Sequence, residues 1–569
     1  MMIMRFPSIP ICALCLFGGA ASAQSRPYAP ITLTVNTAVH GYAIPSDFSG
    51  LGFETASVLP NRYGVSGYFF TPANTQLITL FRNIGIKNIR VGGGTVDGSG
   101  SEEHCVTPIP TDKDIDNLFE FARAAGVKVI YSVRLLNVAS CANPKLAEDD
   151  ARIAEYIWRK YRANLDSFSI GNEPDVSDYH TRPGHVVDPA IYETTAGVPG
   201  TAYPSYFADW KHFAEVIRKT VPEAKFSGPD TAVSSTSSYT PNPSTGVSWT
   251  QKFAEDLNNS GMLAEALQHH YVWGSPGNTT AKEAIDDMLS RAWDNDTSIG
   301  TQPARNGGTA KFHPYPFVYA HILSPVASYG VPYRITEAND CLHGVQGASN
   351  GFAAALWALD YMHWWAAHGM AGVNFHNNPW IPTDTIVPNP NLCPHTGCGN
   401  YYTTPKGYGI KAFELGSQGY VEPVAISNPH NINLTAYAVG DARNLYVTII
   451  NKTHMTTHNA TDAAAVIHAA GFTRGSAAYM VLTDGDPGNA GLMTATLGGA
   501  PIPSDALWRG KWTPLDDIKN GMVAVTVQST TAVIVKIQAA GTQSSRTGIS
   551  RQPGSRRLSS AALPAAGSE

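Results

Sequence analysis

From about residue 48 to residue 415, short apolar runs alternate with stretches in which apolar residues recur every three or four positions. The short runs have the length of buried strands, and the longer stretches have the spacing of amphipathic helices. Strands that alternate with helices indicate parallel βα units, and eight such units predict a closed (β/α)8 TIM barrel, an α/β fold. The eight predicted strands lie at 48–54, 86–94, 127–136, 168–175, 224–230, 264–272, 332–340 and 371–378.

After about residue 416 the pattern changes to strict alternation of apolar and polar residues, interrupted by turn residues. Segments 433–453 and 522–538 show it most clearly, and it is typical of a β-sandwich. Residues 30–44 have the same character although they precede the first barrel strand. We therefore predict a catalytic barrel at 46–415 and a C-terminal β-sandwich at 416–540, with segment 24–45 adding a strand to the sandwich.

The two ends of the chain do not have the pattern of folded structure. Residues 1–23 combine Arg5, an apolar stretch and a small-residue cleavage motif that ends at Ala23, which predicts a secretory signal peptide. The protein is therefore expected to be secreted or periplasmic. Residues 541–569 are rich in Ser, Gly, Arg and Pro without periodicity, which predicts a disordered tail.

The charge balance of the chain limits the classes of partner that the protein is expected to bind. The chain has 39 Lys and Arg against 45 Asp and Glu, a net charge of −6 and a pI near 6.3. No basic surface for nucleic acid or anionic membranes is expected from this balance. No stretch other than the signal approaches the length of a membrane span, so no membrane insertion is predicted. The oligomeric state stays open.

Five cysteines follow the signal peptide, and an exported chain permits disulfides. Cys393 and Cys398 could close a small ring, Cys105 and Cys141 could join successive loops, and Cys341 would be left over. Sequence alone does not fix the pairing. Because no paired-cysteine or paired-histidine spacing typical of zinc occurs, we predict no zinc site. The carboxylate chemistry described next needs only water, so no metal or organic cofactor is expected.

Two glutamates stand where predicted barrel strands end. Glu173 closes the fourth strand in "FSIGNEPD", and Glu337 closes the seventh in "RITEAND". Barrel enzymes gather their reactive groups at this end of the strands. A protonated carboxyl group facing an ionised one is the apparatus of glycoside hydrolysis, with Glu173 as the proton donor. The alternative is structural ion pairing, of Glu173 with Arg134 or Arg162 and of Glu337 with Arg334.

These two motifs resemble the large clan of retaining (β/α)8 glycosidases. Within that clan the chain is most similar to glycoside hydrolase family 79, which comprises β-glucuronidases and heparanase-like enzymes. The similarity covers residues 30–540 and includes "FSGLGFE", "IRVGGGTVD", "LQHHYV" and "RITEANDCLHGVQGASNGFAAALWALDYM". The resemblance implies a β-glucuronidase that hydrolyses β-D-glucuronides by double displacement, with a glycoside or oligosaccharide as its partner. Because only 39 Lys and Arg stand against 45 acids, no basic patch to hold a long sulfated chain is expected, which favours exo action on terminal glucuronides.

The resemblance also implies roles for individual residues. Glu173 would be the acid/base, Glu337 the nucleophile, and Asn172 would bind the sugar 2-hydroxyl. Glu54, at the end of strand one, matches a carboxylate that binds sugar hydroxyls.

Further residues of the implied site lie on strand six and in the loop after strand seven. His270 and Tyr271 would line the site, with the tyrosine hydroxyl orienting the nucleophile. The loop 342–347, which includes His343 and Gly344, would offer backbone N–H groups to the uronate carboxylate.

The chain departs from the family pattern at two places. A tyrosine of the family is replaced by Leu342 or His343 before the loop glycines. At strand eight the family has Asn-Tyr-His, whereas this chain has Asn374, Phe375 and His376, of which Phe375 and His376 would line the site. Losing a tyrosine hydroxyl removes a donor to the substrate carboxylate, which His343 or His376 could replace.

The glycine run that ends at Gly94 lacks the spacing and the lysine of a phosphate-binding loop. It predicts a tight turn after strand two, near the sugar, with Asp97 as a candidate contact. Two alternatives to the glucuronidase stay open. One is a β-glucosidase or β-xylosidase on the same scaffold, and the other is a non-catalytic carbohydrate-binding protein.

Overall fold

The computed structural model describes residues 28–97, 109–135, 146–174, 206–232, 247–273, 279–291, 301–303, 309–311, 314–378, 382–388, 400–457, 460–472, 475–516, 518 and 520–540. The predicted signal peptide and C-terminal tail lie outside these residues. So do four of the five cysteines for which disulfides were considered. The fifth, Cys341, is buried with a free thiol.

Eight parallel strands close into a barrel in chain order, with the seventh and eighth strands completing the ring. This confirms the predicted fold class, and each strand overlaps one of the eight apolar runs. Strand four begins three residues before its predicted run and ends at Ile170, five residues before the predicted end. Strands one to eight of the barrel are Ser49–Glu54, Asn88–Gly92, Lys128–Val133, Leu165–Ile170, Phe226–Thr231, Leu263–Trp273, Tyr333–Cys341 and Gly372–His376.

Helices surround the barrel, and their ends carry the residues that helix termini favour. In the first helix the side chain of Asn74 accepts a hydrogen bond from the Leu77 N–H, and Gly85 ends the helix at a φ of +93°. The helices are Thr75–Ile84, Asp112–Ala125, Leu146–Tyr161, Tyr206–Thr220, Trp249–Leu257, Ala281–Met288, Tyr315–Val318, Ser324–Ala327, Phe352–Ala367 and Pro405–Gly416.

The helix Phe352–Ala367 is buried almost all round because it lies between the barrel and the sandwich. Its Asp360 accepts hydrogen bonds from Thr435 and Tyr437 of the sandwich and pairs with Lys452 at 2.9 Å. A buried carboxylate needs such partners. This cluster therefore joins the two parts of the molecule through a polar contact inside a largely apolar interface.

The sandwich consists of a four-stranded and a seven-stranded sheet. The N-terminal strand Tyr28–Val35 lies in the smaller sheet, parallel to Asp462–Ala469 and antiparallel to Val424–Ser427. Its alternate residues Ile31 and Leu33 point into a core that both sheets share. The other strands are Tyr420–Glu422, Leu434–Gly440, Asn444–Asn451, Gly475–Thr483, Thr496–Leu497, Thr513–Pro514, Met522–Val527 and Thr531–Ala539.

Two short antiparallel pairs complete the strands of the described chain. They join Thr301–Pro303 to Thr309–Lys311 and Ile386–Val387 to Tyr402–Thr403. Among the helices of the described residues, none is both long and apolar enough to cross a bilayer.

Candidate active site

The end of barrel strand four turns sharply into the barrel mouth. Gly171 has a φ of +80°, and a Cβ at this position would lie 2.8 Å from Cβ of Leu135. Glu173 itself has a φ of +46°, an uncommon conformation for a residue with a side chain. Its backbone N–H donates to the Asp230 carbonyl at 3.0 Å, which ties this turn to the end of strand five.

Strand seven reaches the same place through an irregular pairing. Its register against strand six shifts between Ile335 and Glu337, and such irregularities re-aim side chains at barrel rims. Glu337 accepts hydrogen bonds from Nη1 of Arg90 at 3.0 Å and from the Tyr271 hydroxyl at 2.7 Å. Both of its oxygens are therefore held in fixed positions.

The two glutamates meet at the barrel mouth. One oxygen of Glu173 and one oxygen of Glu337 lie within 4.8 Å of each other, and a ring nitrogen of His269 lies within the same distance of both. The side chain of Glu173 is 25% exposed, whereas that of Glu337 is 10% exposed. Two carboxyl groups thus share one site but have different access to solvent.

The surroundings of Glu337 keep it ionised. Burial alone raises its pKa, but the nearby His376, His269 and Arg90, with the hydrogen bond from Tyr271, lower the pKa of Glu337 to about 2. Arg90 is completely buried and also contacts Asp230 and the side-chain oxygen of Asn172. A positive charge beneath the site therefore balances the carboxylate at neutral pH.

His269 carries a second positive charge. Its Nδ1 lies 3.0 Å from Oε1 of Glu173, and its Nε2 lies 3.0 Å from Oδ1 of Asp230. Burial acts to lower the pKa of His269, but Asp230, Glu337 and Glu173 raise the pKa to about 10. Burial likewise acts to raise the pKa of Asp230, yet Arg90 and His269 hold that pKa well below its usual range. At neutral pH His269 is therefore an imidazolium between two carboxyl groups.

Asp97 holds strand ends together. It is buried, its Oδ1 accepts from the Leu135 N–H at 2.8 Å, and its Oδ2 accepts from the Asn172 N–H at 3.2 Å. These contacts fix the turn that presents Asn172 and Glu173. The structure thus gives Asp97 a positioning role, and its contact with substrate stays a prediction.

Glu54 and His376 extend the site beyond the two glutamates. Oε2 of Glu54 accepts from the Thr95 N–H at 2.8 Å and from the Thr95 hydroxyl at 2.7 Å. The ring of His376 lies between two carboxylates, 3.8 Å from Glu54 and 3.7 Å from Glu337. Glu54 and Gly94 also line a cavity of about 760 Å³ next to the glutamates.

Two residues predicted to line the site point the other way. His270 contacts the hydroxyl of Tyr361 at 2.7 Å, in the helix layer, and Phe375 packs against Trp357 and Tyr361 of the same helix. Successive side chains of a strand point to opposite faces, so His269 is directed into the barrel and His270 away from it. The placement of His270 and Phe375 in the site is therefore corrected.

In the loop predicted to bind a uronate carboxylate, some backbone N–H groups already donate to nearby side chains of the protein. The Val345 N–H donates to Ser349 at 2.8 Å, and the Gly347 N–H donates to Asn350 at 2.7 Å. His343 and Gly344 both have positive φ, of +69° and +70°, and His343 is exposed. The turn is thus stabilised by its own side chains.

Three residues of the site were not predicted from the sequence, namely Arg90, Asp230 and His269. Each left a signal in the sequence. Arg90 is a charge inside an apolar strand, Asp230 ends strand five as the two glutamates end theirs, and His269 alternates with Tyr271. A charge on the inner face of a barrel strand requires a partner there.

Glu173, His269 and Glu337 also have the side-chain types that bind metals. A protonated His269 has no free lone pair for a cation, and the guanidinium of Arg90 already neutralises Glu337. The donor set therefore fits proton transfer better than cation binding.

No family model matches the sequence, and no curated protein matches it. Among solved structures, the chain is similar to a 4-O-α-L-rhamnosyl-β-D-glucuronidase from Fusarium oxysporum 12S, with a TM-score of 0.59 and 15% identity over 89% of this chain and 100% of that one. It is also similar to a family 51 arabinofuranosidase from Xanthomonas axonopodis pv. citri, with a TM-score of 0.56 and 14% identity over 90% of this chain and 100% of that one.

A third similar structure is CelM2, a bifunctional glucanase-xylanase from a metagenome library, with a TM-score of 0.56 and 13% identity over 90% of this chain and 99% of that one. All three neighbours are glycoside hydrolases. At these identities the likeness is one of fold, and the chain has the barrel fold that these hydrolases share.

Proposed function

We propose that the protein is a retaining glycoside hydrolase in which Glu337 is the nucleophile and Glu173 the acid/base. The observation that supports this most directly is the spacing of the two carboxyl groups, whose oxygens lie within 4.8 Å. Retaining enzymes have a separation of about 5–5.5 Å, whereas inverting enzymes leave about 6.5–9.5 Å for a water molecule.

In the first step an ionised oxygen of Glu337 attacks the anomeric carbon while Glu173 gives its proton to the leaving glycosidic oxygen. The bond to the aglycone breaks, and a glycosyl ester forms on Glu337. In the second step Glu173 takes a proton from water, which attacks the same carbon and releases Glu337. Two inversions restore the original configuration.

The residues around the pair support these steps. Arg90 and Tyr271 hold Glu337 ionised and oriented before the attack. His269 donates to Glu173 and fixes its direction toward the leaving oxygen. Because Arg90 occupies the oxygen of Asn172, the amide nitrogen of Asn172 is the group left to bind the sugar 2-hydroxyl.

For the substrate we propose terminal β-D-glucuronides, cleaved in exo fashion by a secreted or periplasmic member of family 79. The motifs around Glu173 and Glu337 support this reading, and a glucuronidase is among the structures of similar fold. A neutral glycoside, as in a β-glucosidase or β-xylosidase, is the second candidate. The N–H groups of Val345 and Gly347 favour the neutral glycoside. They already donate to side chains, so fewer donors are left for a substrate carboxylate.

The test is covalent trapping with a cyclophellitol-type uronate, followed by mass spectrometry of the labelled peptide. We expect the label on Glu337, and none in the Glu337→Gln variant. Labelling of another residue would overturn the assigned roles. Turnover of p-nitrophenyl glucuronide against the glucoside and xyloside then decides the sugar, and a rate with neutral sugars alone would overturn the glucuronidase. N-terminal sequencing of the exported protein tests cleavage after Ala23.

A further inference from the structure

A buried lysine lies behind the ends of strands seven and eight and takes no part in the steps of the proposed reaction. Lys406 is in the first turn of the helix Pro405–Gly416, and its side chain is completely buried. A cation in the first turn of a helix opposes the helix dipole, so the helix itself is not stabilised by this charge. Lysine is almost never fully buried without partners, and those of Lys406 show which part of the fold it stabilises.

The ammonium group of Lys406 links two neighbouring barrel strands. Its Nζ donates to Oδ1 of Asn339, within strand seven, at 2.6 Å and to the Thr383 carbonyl, after strand eight, at 2.5 Å. It also lies 3.8 Å from Oδ1 of Asp340. One buried cation therefore contacts the chain on both sides of the point where strand eight ends.

Carboxyl groups of both segments face this ammonium group. Burial raises the pKa of Asp340 and of Asp384, and the charge of Lys406 opposes that rise. Burial likewise lowers the pKa of Lys406 to about 8, although Asp340, Asp384 and the nearby Cys341 act to raise it. Lys406 is therefore mostly charged at neutral pH, in a place where a charge is costly without these partners.

Asn339 extends the contact to the active site. While its side-chain oxygen accepts from Lys406, its Nδ2 donates to the His376 carbonyl at 3.1 Å. The ring of His376 lies 3.7 Å from Glu337 and 3.8 Å from Glu54. Lys406 is thus connected through one buried side chain to the backbone of a residue whose ring lies beside the proposed nucleophile.

The contact with Thr383 acts on the same end of strand eight. The side-chain oxygen of Asn377, the residue after His376, accepts from the Thr385 N–H at 3.0 Å and from the Ile386 N–H at 2.8 Å. Thr383 lies two residues before this contact, and Lys406 binds its carbonyl. The end of strand eight is therefore held from strand seven and from the segment that follows it, and both connections include Lys406.

We propose that Lys406 is a positioning residue of the active site, whose buried ammonium group acts through Asn339 and Thr383 to fix the end of strand eight and hence the ring of His376 beside Glu337. This role rests on the proposed function. A contribution of this kind lowers kcat in the folded enzyme and depends on Asn339, whereas general stabilisation of the fold does neither.

The experiment compares Lys406→Met and Asn339→Leu, singly and together, with Lys411→Met in the full chain, on the p-nitrophenyl glycoside that the wild type hydrolyses. Lys411 lies on the same helix but pairs with Glu414 of that helix at 2.7 Å, which makes it the matched control. Urea denaturation gives the folded fraction of each variant.

We expect Lys406→Met to lower kcat of the folded enzyme by about 10–100-fold with KM changed less than about threefold, since a misplacement of about 1 Å at a reacting site costs about 10²-fold. The double variant should be no slower than the slower single variant, because both substitutions break one connected set of contacts. Lys411→Met should keep the wild-type kcat. Wild-type kcat in folded Lys406→Met, or additive losses in the double variant, would overturn the positioning role.

Hydrogen exchange of backbone N–H groups, followed by mass spectrometry of peptides covering 339–349 and 372–378, tests the same contacts without turnover. Exchange there should be faster in Lys406→Met than in Lys411→Met, and equal rates would overturn the role. If Lys406→Met does not fold, Asn339→Leu alone decides, and wild-type kcat and exchange in that variant would overturn the role. Faster exchange in a protein that hydrolyses no glycoside would refute the hydrolase and leave the connection from Lys406 to His376 standing.

Discussion

Arg90 and Arg334 lie at opposite ends of the same barrel, and both are completely buried among carboxylates. Arg334 bonds to Glu265 at 2.8 Å and to Asp47 at 3.2 Å, near the N-terminal ends of the strands. Arg90 bonds to Glu337 and Asp230 near the C-terminal ends. The same residue types thus build two charge clusters in one core.

The two clusters differ in how many of their buried nitrogen atoms have hydrogen-bond partners. Arg334 uses all three of its nitrogens, and its further acceptors are Asn374 and the carbonyls of Asp47 and Ala371. At the other end, Nε of Arg90 and Nδ1 of His376 are buried without a hydrogen-bond partner among the described residues. A closed network stabilises a barrel, whereas the nitrogens without partners at the other end belong to the cluster around the two glutamates.

The comparison also settles the structural alternative for Glu337. Ion pairing with Arg334 was a possible reading of the sequence, since only two residues separate them. The structure pairs Arg334 with Glu265 and Asp47 and directs Glu337 to Arg90. A buried ion pair is therefore weak evidence of catalysis by itself. The end of the barrel at which the pair lies distinguishes a catalytic from a structural role.

The largest expected effects on activity and stability come from replacing one glutamate of each cluster with glutamine. Glu337→Gln should lower kcat by about 10³-fold or more, because the proposed nucleophile is lost. Glu265→Gln should leave kcat near the wild-type value but lower the free energy of unfolding by about 3 kcal/mol. Kinetics on the active aryl glycoside and urea denaturation measure both. Comparable kcat losses in the two variants would contradict the division between the clusters.

The second effect concerns the arginines themselves. Arg90→Met should reduce kcat by about 10²-fold, since Glu337 loses its preorganised positive partner. Arg334→Met should destabilise by about 3–5 kcal/mol while the folded fraction keeps its activity. Active-site titration with the trapping reagent corrects each rate for folded enzyme. Loss of activity in the folded fraction of Arg334→Met would contradict the structural role assigned to Arg334.

The third effect is a pH dependence of stability from His269. Its folded pKa of about 10 exceeds the ordinary value of 6.5, so its contribution is complete below pH 6.5 and is lost as the pH rises toward 10. Urea midpoints between pH 6 and 10 should fall, and His269→Asn should flatten that slope. An unchanged slope in the variant would show that His269 is not charged in the folded protein.

The smallest effect arises at the opposite end of the barrel. Burial, with the charge of Glu265, raises the pKa of Asp166 to about 6. The folded state therefore binds a proton that the unfolded chain releases near pH 4, so stability falls as the pH rises from about 4 to 6. Asp166→Asn should remove this slope and add about 1–3 kcal/mol at pH 7. Asp112→Asn, at an exposed ion pair, should leave the slope intact.

Much of the fold and the core of the site were predictable from local pattern. Eight apolar runs of strand length specified the barrel, and the carboxylates placed toward the C-terminal ends of predicted strands four and seven pointed to the site. In the structure Glu173 follows strand four, which ends at Ile170, and Glu337 is the fifth residue of strand seven, Tyr333–Cys341. His269 shows where such reasoning stops. Two adjacent histidines on one strand are equivalent in a sequence, and only the direction of the strand's inner face separates them. Phe375 was misplaced for the same reason.

The sequence by itself determined which segments become strands and helices, because their apolar periodicity depends on near neighbours alone. It also placed two glutamates toward the C-terminal ends of predicted strands four and seven, on the same side of a parallel barrel. Tertiary structure decided which side chains face inward, that Arg90 binds Glu337 while Arg334 does not, and that His376 lies between Glu54 and Glu337. These outcomes depend on strand register and barrel closure, which bring together residues up to about 300 positions apart.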